Sequence, residues 1–475
     1  MINPGATKTS QRLRYIIADL LMGAIGFWVF NIVRFYLLGE EYKGFSTLWT
    51  FLGSSKLILE QCIVPPCLLG IYWLSGYYNE PFNKSRLQEF TTTLFSGIVN
   101  TVIIYLVLLI NDQTGKRTIN YEIILTLFGS LFLLTYTARV LITNYAIRHF
   151  RKKIWNINVL IMGNSKASRK VASQLKESKR DVNYKIVGFM ELPGENSVKD
   201  REKFFTYGNI RKVCEDYEVN QIILAPQFHD DKKVMELLSV LFPLEIPVKI
   251  SPDTFSYVTS AIRLKDIYGD PFIDLAGPSI SESSKNIKRA LDVTFSFLAL
   301  IILSPLYGFL SIWVKSGSKG PVFYRQERIG LHQKPFYIYK FRTMVEDAEA
   351  EGPRLSSDSD PRITKAGKWM RKYRLDELPQ FWNVLKGDMS IVGPRPERDF
   401  YIKQIVKQAP YYTLVCQIRP GITSWGMVKY GYASNVEQMV ERTRYDLIYL
   451  ANMSLSVDCK ILIYTLKTVF GGEGK

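Results

Sequence analysis

Four long apolar runs, at about 15–38, 57–78, 91–110 and 121–143, fill the first third of the chain. Each approaches the roughly 20 residues that a helix needs to cross a bilayer. Four in succession read as a transmembrane bundle rather than as buried soluble helices. The polar residues between them orient the bundle by the positive-inside rule. Lys8, Arg12 and Arg14 precede the first run, Lys84 and Arg86 separate the second from the third, and Arg148, Arg151, Lys152 and Lys153 follow the fourth. The other two loops are less basic for their length and carry Glu40, Glu41 and Asp112. Both ends of the bundle are therefore expected to face the cytoplasm. Arg34, inside the first run, is expected to snorkel to the far interface. No small-residue cleavage site follows that run, so it reads as a retained anchor.

From Asn156 the period changes. "INVLIMG", "YKIVGFM", "QIILAP" and "IPVKI" read as strands, and "SKASRKVASQLKES", "GNIRKVCEDYE" and "DDKKVMELLSVLF" read as helices between them. This alternation predicts a small parallel α/β domain at about 156–250. Its first turn, "GNSKAS" from Gly163, has one glycine where a dinucleotide site wants G-x-G-x-x-G. A degenerate Rossmann-like scaffold for packing or regulation fits it better than a ligand site. The stretch 252–282 has no clear period and reads as a connector.

A fifth apolar stretch, 290–314, is long enough to span, but Ser304-Pro305 lies in its middle. Proline removes one helical hydrogen bond and breaks the helix, and the Ser304 hydroxyl can satisfy a freed carbonyl. A full crossing would also put the following segment on the opposite side from the α/β domain. A re-entrant helix–break–helix is therefore expected, with Lys288 and Arg289 at headgroup level and Asp292 paired with a cation. Beyond it, "PVFYRQERIG" and "KPFYIYKFRTM" alternate as a hairpin does, with "LHQK" at the turn. A basic helix is predicted over 365–373, and Pro379 suits the first turn of the next. The closing "SVDCKILIYTLKTVF" is amphipathic and suits either the membrane interface or packing on the core.

Charge sharpens the picture. Lys and Arg outnumber Asp and Glu by 12 to 8 over 1–150, 20 to 18 over 151–282 and 29 to 18 over 283–475. The net +17 therefore resides mostly in the last segment. Cations dispersed among apolar runs suit anionic lipid and phosphorylated substrates, not nucleic acid. The five cysteines form no CxxC pair and suggest neither disulfides nor zinc. Within "RLDELPQFWNVLKGDMSIVGPRPE", Asp376 and Glu377 stand side by side near a helix start, where the helix dipole would lower a carboxylate pKa. A nucleophilic carboxylate beside cations suits chemistry on a phosphate ester.

These residues resemble the bacterial sugar transferase family, the monotopic polyprenyl-phosphate hexose-1-phosphate transferases. The matching stretches are Ser304-Pro305 with its basic helix, "KGPVFYRQERIG", "KFRTM", "DPRITKAGKWMRKYRLDELPQFWNVLKGDMSIVGPRPE" and "RPGITSWGMVKYGY". The resemblance implies a membrane protein of α+β class. It has a four-helix transmembrane domain (1–150), a Rossmann-like cytoplasmic domain (151–251), a connector (252–282) and a catalytic domain with the re-entrant helix (283–475). It implies transfer of hexose-1-phosphate from a UDP-hexose to undecaprenyl phosphate, releasing UMP, at the cytoplasmic face of the bacterial inner membrane. Such a step initiates exopolysaccharide, capsule or O-antigen synthesis. By the same resemblance Asp376 is the nucleophile, Glu377 holds Mg2+, and Arg289 and Asp292 lock the re-entrant helix. Arg395 of the Pro-Arg-Pro turn is the leading phosphate clamp, followed by Lys340, Arg342 and Arg374. Arg325 and Arg328 are candidates for pairing with Glu327 or with lipid headgroups. Three positions depart from the family pattern: Gln333 stands where glycine is frequent, and Gly426 and Met427 where alanine and glutamine are common. The bundle and α/β domain could support a homodimer.

Two other classes are weighed. A membrane-anchored nucleotide-sugar dehydratase or epimerase would need an intact glycine loop and a Tyr-x-x-x-Lys pair in a cofactor domain. No such glycine loop opens a βαβ unit after Glu282. A scaffold with a dead catalytic domain is disfavoured by the intact "LDELPQ" and "GPRPE".

Overall fold

A computed structural model describes residues 4–38, 45–82, 84, 86–109, 117–163, 166–177, 183–192, 204–225, 237, 240–250, 273–274, 280–346, 348, 352, 360–431 and 433–471. The chain divides into two compact units. One comprises Met1–Asn158, Leu175–Lys185 and Ser281–Ile287; the other comprises Val159–Gln174, Ile186–Ile280 and Lys288–Lys475.

The first unit holds α1 (Pro4–Leu38), α2 (Leu48–Leu52), α3 (Ser55–Leu74), α4 (Arg86–Ile104) and α5 (Arg117–Arg151). Four stretches are long and apolar enough to cross a membrane: Lys8–Leu38, Ser55–Leu74, Glu89–Leu108 and Thr118–Arg151. They correspond to the four apolar runs. Their outer faces are apolar, with Leu59, Phe95 and Leu125 exposed. The interior is unexpectedly polar. The Arg139 Nε and Nη2 groups donate to the two Asp19 carboxylate oxygens at 2.9 and 2.6 Å, and Nη1 donates to Thr93. Tyr78 donates to Asp19, while Tyr77 and Thr143 donate to Glu89. Arg34 is a correction. It does not snorkel but is buried beside Glu60 at 3.6 Å, with Nη1 donating to Asn31.

The second unit begins with a six-stranded sheet: β1 (Ile157–Met162), β2 (Tyr184–Met190), β3 (Phe204–Phe205), β4 (Gln221–Leu224), β5 (Val248–Ile250) and β6 (Ile273–Asp274), in the order β3-β2-β1-β4-β5-β6. The β1–β4, β4–β5 and β2–β3 pairs are parallel, and β6 runs antiparallel to β5. Val159 to Met162 and Ile222 to Leu224 are almost wholly buried, as expected of strands covered on both faces. Helices α6 (Lys166–Glu177) and α7 (Ile210–Asp216) fall where the pattern put them. The predicted helix at 230–242, the connector and part of the "GNSKAS" turn lie largely outside the described residues.

Helices α8 (Glu282–Ile302) and α9 (Ser304–Gly317) follow, bent by 62° at Leu303. The break falls where Ser304-Pro305 predicts it, with proline in the first turn of α9. Phe295, Phe297, Ile301, Ile302, Phe309 and Ile312 are exposed along both helices. Strands β7 (Phe323–Ile329) and β8 (Pro335–Phe341) then form the expected antiparallel hairpin. Its turn holds His332 and Gln333 at φ 55° and 59°. Gln333 therefore adopts the left-handed conformation that a glycine would favour there.

Helix α10 (Lys365–Lys372) is the predicted basic helix, capped by Thr364, whose hydroxyl accepts from the Gly367 amide. Next come α11 (Gln380–Lys386), β9 (Ser390–Val392), α12 (Asp399–Gln408), β10 (Gly421–Thr423), α13 (Trp425–Lys429), α14 (Val436–Ala451) and α15 (Leu455–Gly471). Helix α15 buries Asp458 and Ile461 and leaves Ile463, Leu466 and Phe470 exposed.

Candidate functional site

The site is built where α10 ends. Arg374 takes the left-handed conformation, φ 52° and ψ 27°, which is sparsely populated for a residue with a side chain. That reversal folds Leu375–Glu377 into a single tight turn and carries Asp376 and Glu377 inward, where they are 8% and 6% exposed. Asn383 of α11 then fastens this segment to the hairpin. Its side-chain amide donates to the Tyr337 carbonyl at 2.7 Å, and its oxygen accepts from the Tyr339 amide at 3.1 Å. Lys340 of β8 is thereby placed against the turn.

Three of the four expected phosphate-binding cations converge on one carboxylate. Lys340 Nζ lies 2.8 Å from Glu377 Oε1, Arg374 Nη1 lies 3.3 Å from Oε2, and both Arg395 terminal nitrogens lie 3.5 Å from Oε1. Burial opposes ionisation of Glu377, but Lys340, Arg395 and Arg374 outweigh it and hold the carboxyl well below its usual range. Asp376 behaves oppositely. Burial pushes it up, Lys340 pulls it down, and the charge of Glu377 pushes it up again; the net direction is upward. This corrects the expectation that a helix dipole lowers it. The helix that follows has only seven residues, and burial beside a like charge prevails. Among the described residues, no hydrogen bond reaches the Asp376 carboxylate.

Arg342 is placed elsewhere. Nη2 donates to the Ser318 carbonyl at 2.8 Å and Nη1 to that of Lys319, so this arginine holds the loop after α9. The helix residues also find different partners from those expected. Lys288, expected at headgroup level, is buried against Asp458 at 2.6 Å. Arg289 donates to the Val384 and Leu385 carbonyls at the end of α11. Asp292 pairs with no cation; it accepts from the Ser390 hydroxyl at 2.7 Å and the Ile391 amide at 3.2 Å.

Met427 and Gly426 also border the site. Arg395 Nη1 lies 3.3 Å from the Met427 sulfur. The Gly426 amide donates to buried Asp446, whose carboxyl burial pushes up to about 6. A Cβ at Gly426 would come within 2.7 Å of Arg442 Cγ and 2.9 Å of Asp446 Oδ1. Alanine therefore does not fit there without a shift. Sequence reasoning missed Asn383, Glu397 and Arg442. Glu397 takes the Arg442 guanidinium 45 residues away, a pairing without a local signal. For a metal, the oxygens of Asp376 and Glu377 have the right hard chemistry. No group of three or more candidate ligands occurs among the described residues. Mg2+ characteristically takes one or two carboxylates and completes its shell with waters and substrate phosphates.

Comparison with known proteins places the region that holds this site in a known family. The family model for bacterial sugar transferase matches residues 283–472, which contain all of it, and one for a CoA-binding domain matches 74–252. A UDP-glucose:undecaprenyl-phosphate glucose-1-phosphate transferase of Xanthomonas campestris pv. campestris is 30% identical over 369 residues, 76% of each chain. An Escherichia coli (strain K12) protein of the same name is 34% identical over 264 residues, 54% of this chain and 57% of that one. A UDP-N-acetylgalactosamine-undecaprenyl-phosphate N-acetylgalactosaminephosphotransferase of Aeromonas hydrophila is 40% identical over 188 residues, 40% of this chain and 44% of that one. The match thus spans about half the length of the last two relatives. With the motifs, the buried carboxylate pair and a match over three quarters of the Xanthomonas protein in agreement, the chain belongs to the bacterial sugar transferase family.

Proposed function

We propose that this protein transfers a sugar-1-phosphate from a UDP-sugar to undecaprenyl phosphate, with Asp376 as nucleophile. The observation that carries the reading is the buried Asp376–Glu377 pair ringed by Lys340, Arg374 and Arg395. An Asp376 oxygen attacks the sugar-bearing phosphorus. The bond to the bridging oxygen breaks, and UMP leaves with that electron pair. An oxygen of the lipid phosphate then attacks the same phosphorus and returns the Asp376 carboxylate. Two anionic substrates thus meet the site in turn rather than together, which splits one hard step into two. Lys340, Arg374 and Arg395 neutralise charge on the donor diphosphate, exchanging Glu377 for phosphate as it binds. Bound through Glu377 and the substrate phosphates, Mg2+ would supply further neutralisation of the leaving group.

The 62° bend between α8 and α9, with apolar residues exposed on both, supports a re-entrant dip that returns the site to the side it left. The basic flanks of the four spans support a cytoplasmic site on a bacterial inner membrane. The sheet order supports a Rossmann-like reading of the α/β domain. The relatives' names include glucose and N-acetylgalactosamine, so the sugar is to be found by assay.

Purified protein in nanodiscs, given UDP-sugars, Mg2+ and undecaprenyl phosphate, is expected to release UMP. Multiple turnovers should need the lipid, and Asp376→Ala should release none. Equal release by the variant would remove Asp376 as nucleophile. No release from any UDP-sugar would sink the reading.

A further inference from the structure

Arg328 is a further cation, lining the recess beside Glu377, that the proposed chemistry has not used. It stands on β7 facing the same way as Lys340 on β8. Lys340 pairs with Tyr324, and Arg328 lies four residues further along that strand, so a period of two returns both side chains to one face. Arg328 Nη1 donates to the Pro396 carbonyl at 3.2 Å and to Glu397 Oε2 at 3.4 Å, while Nη2 donates to Gln326 at 2.6 Å. The third donor group is unspent: Nε is buried and has no hydrogen-bond partner among the described residues. A buried donor left unmet is costly in the folded protein, so a partner that meets it is favoured.

The surroundings say what would meet it. Arg328, Lys340, Arg395 and Glu377 line one small recess, so three cations face one carboxylate there. Glu397, the carboxylate beside Arg328, is shared with buried Arg442 and cannot neutralise both. The recess measures about 10 Å³, room for one water at most. A larger anion competes with Glu377 for Arg395, whose two 3.5 Å contacts to that carboxylate are at the long limit of a hydrogen bond. Arg328 is held by its other contacts.

We infer that Arg328 is a phosphate-binding residue of this site, held in place by Glu397 and Arg442 and paired with Arg395 as a two-guanidinium cradle. This rests on the proposed transferase reading. The phosphate comes from one of two sources, the donor nucleotide or the polyprenyl phosphate, and both present the same oxygens.

The test uses the full chain in nanodiscs, with Arg325→Gln as control, since Arg325 is exposed on the same strand over the Tyr337 ring. Arg328→Gln is assayed twice: for single-turnover UMP release without acceptor, and for steady-state turnover with undecaprenyl phosphate. A donor-phosphate role predicts a loss of about 100-fold in the first assay. An acceptor-phosphate role leaves the first intact and lowers only the second by a similar factor. Rates equal to those of Arg325→Gln in both assays overturn the inference. Should Arg328→Gln not fold, as judged by its melting temperature, Arg328→Lys preserves the charge without the fork. It is expected to be folded and at least about tenfold weaker in the same assay; an unchanged rate again overturns the inference. A separate measurement distinguishes failure of the transferase reading. UMP and inorganic phosphate are titrated onto Asp376→Ala with and without Arg328→Gln. Equal binding of both anions with and without Arg328→Gln refutes the cradle whatever reaction the site performs.

Discussion

Asp376 and Glu377 are neighbours in the chain with opposite electrostatic tendencies. Glu377 has drawn in the cations, so it stays ionised; Asp376 is buried beside that charge with Lys340 as its largest counterweight. A group whose pKa is raised is protonated over a wider pH range and gains its charge only as pH rises through the shifted value. A carboxylate nucleophile must carry that charge. The pH profile of kcat/KM for UMP release, which reports the free enzyme, is therefore expected to show an acid limb above the ordinary aspartate value of about 3.9. The two neighbours should move it oppositely. Lys340→Met removes the lowering charge and shifts the limb to higher pH; Glu377→Gln removes the raising charge and shifts it to lower pH. Both variants also lose rate, so the position of the limb is what is read. A limb unmoved by either variant would mean that another group titrates.

At the scale of elements, what was legible followed period and punctuation. The four spans, β1, β2, β4, the hairpin, α10 and the break at Ser304-Pro305 all carry a local signature, and the structure has them within a few residues. The site's partners carry none. Asp292 meets Ser390 across 98 residues and Lys288 meets Asp458 across 170, distances over which no local pattern names a partner. Asp376 shows the same limit: the helix start is local, whereas the burial that raises its carboxyl is tertiary. Helix α8 is fastened at its polar end by specific bonds to α11, β9 and α15. Asp292→Ala leaves the Ile391 amide without its acceptor and should lower stability by about 1–3 kcal/mol. Asp292→Asn retains an acceptor oxygen and should lose less. Thermal melting in nanodiscs checks the order; equal melting of wild type and Asp292→Ala would show that this bond does not hold α8 to β9.

For the molecule as a whole, the membrane changes which contacts set the arrangement. Lipid tails are as apolar as leucine, so burying leucine between spans gains little, and close packing and polar bonds must specify how helices associate. The first unit follows that logic. Asp19 of α1, Thr93 of α4, Arg139 of α5 and Tyr78 beyond α3 form one buried cluster, and Glu89, Thr143, Tyr77 and Tyr15 form a second beside it. Arg139 and Asp19 are both 0% exposed. Neither charge has water to fall back on, so removing one strands the other. Arg139→Ala is expected to cost about 3–5 kcal/mol, seen as a lower melting temperature in nanodiscs. Replacing both, with Arg139→Met and Asp19→Leu, leaves no unpaired charge and should cost less than Arg139→Ala alone, although Tyr78 and Thr93 each lose a partner. That strong non-additivity is the signature of an ion pair specifying helix arrangement. Additive losses would show instead that each residue acts through its own packing, and the bundle's order would then have to come from the close approach of its small and aromatic side chains.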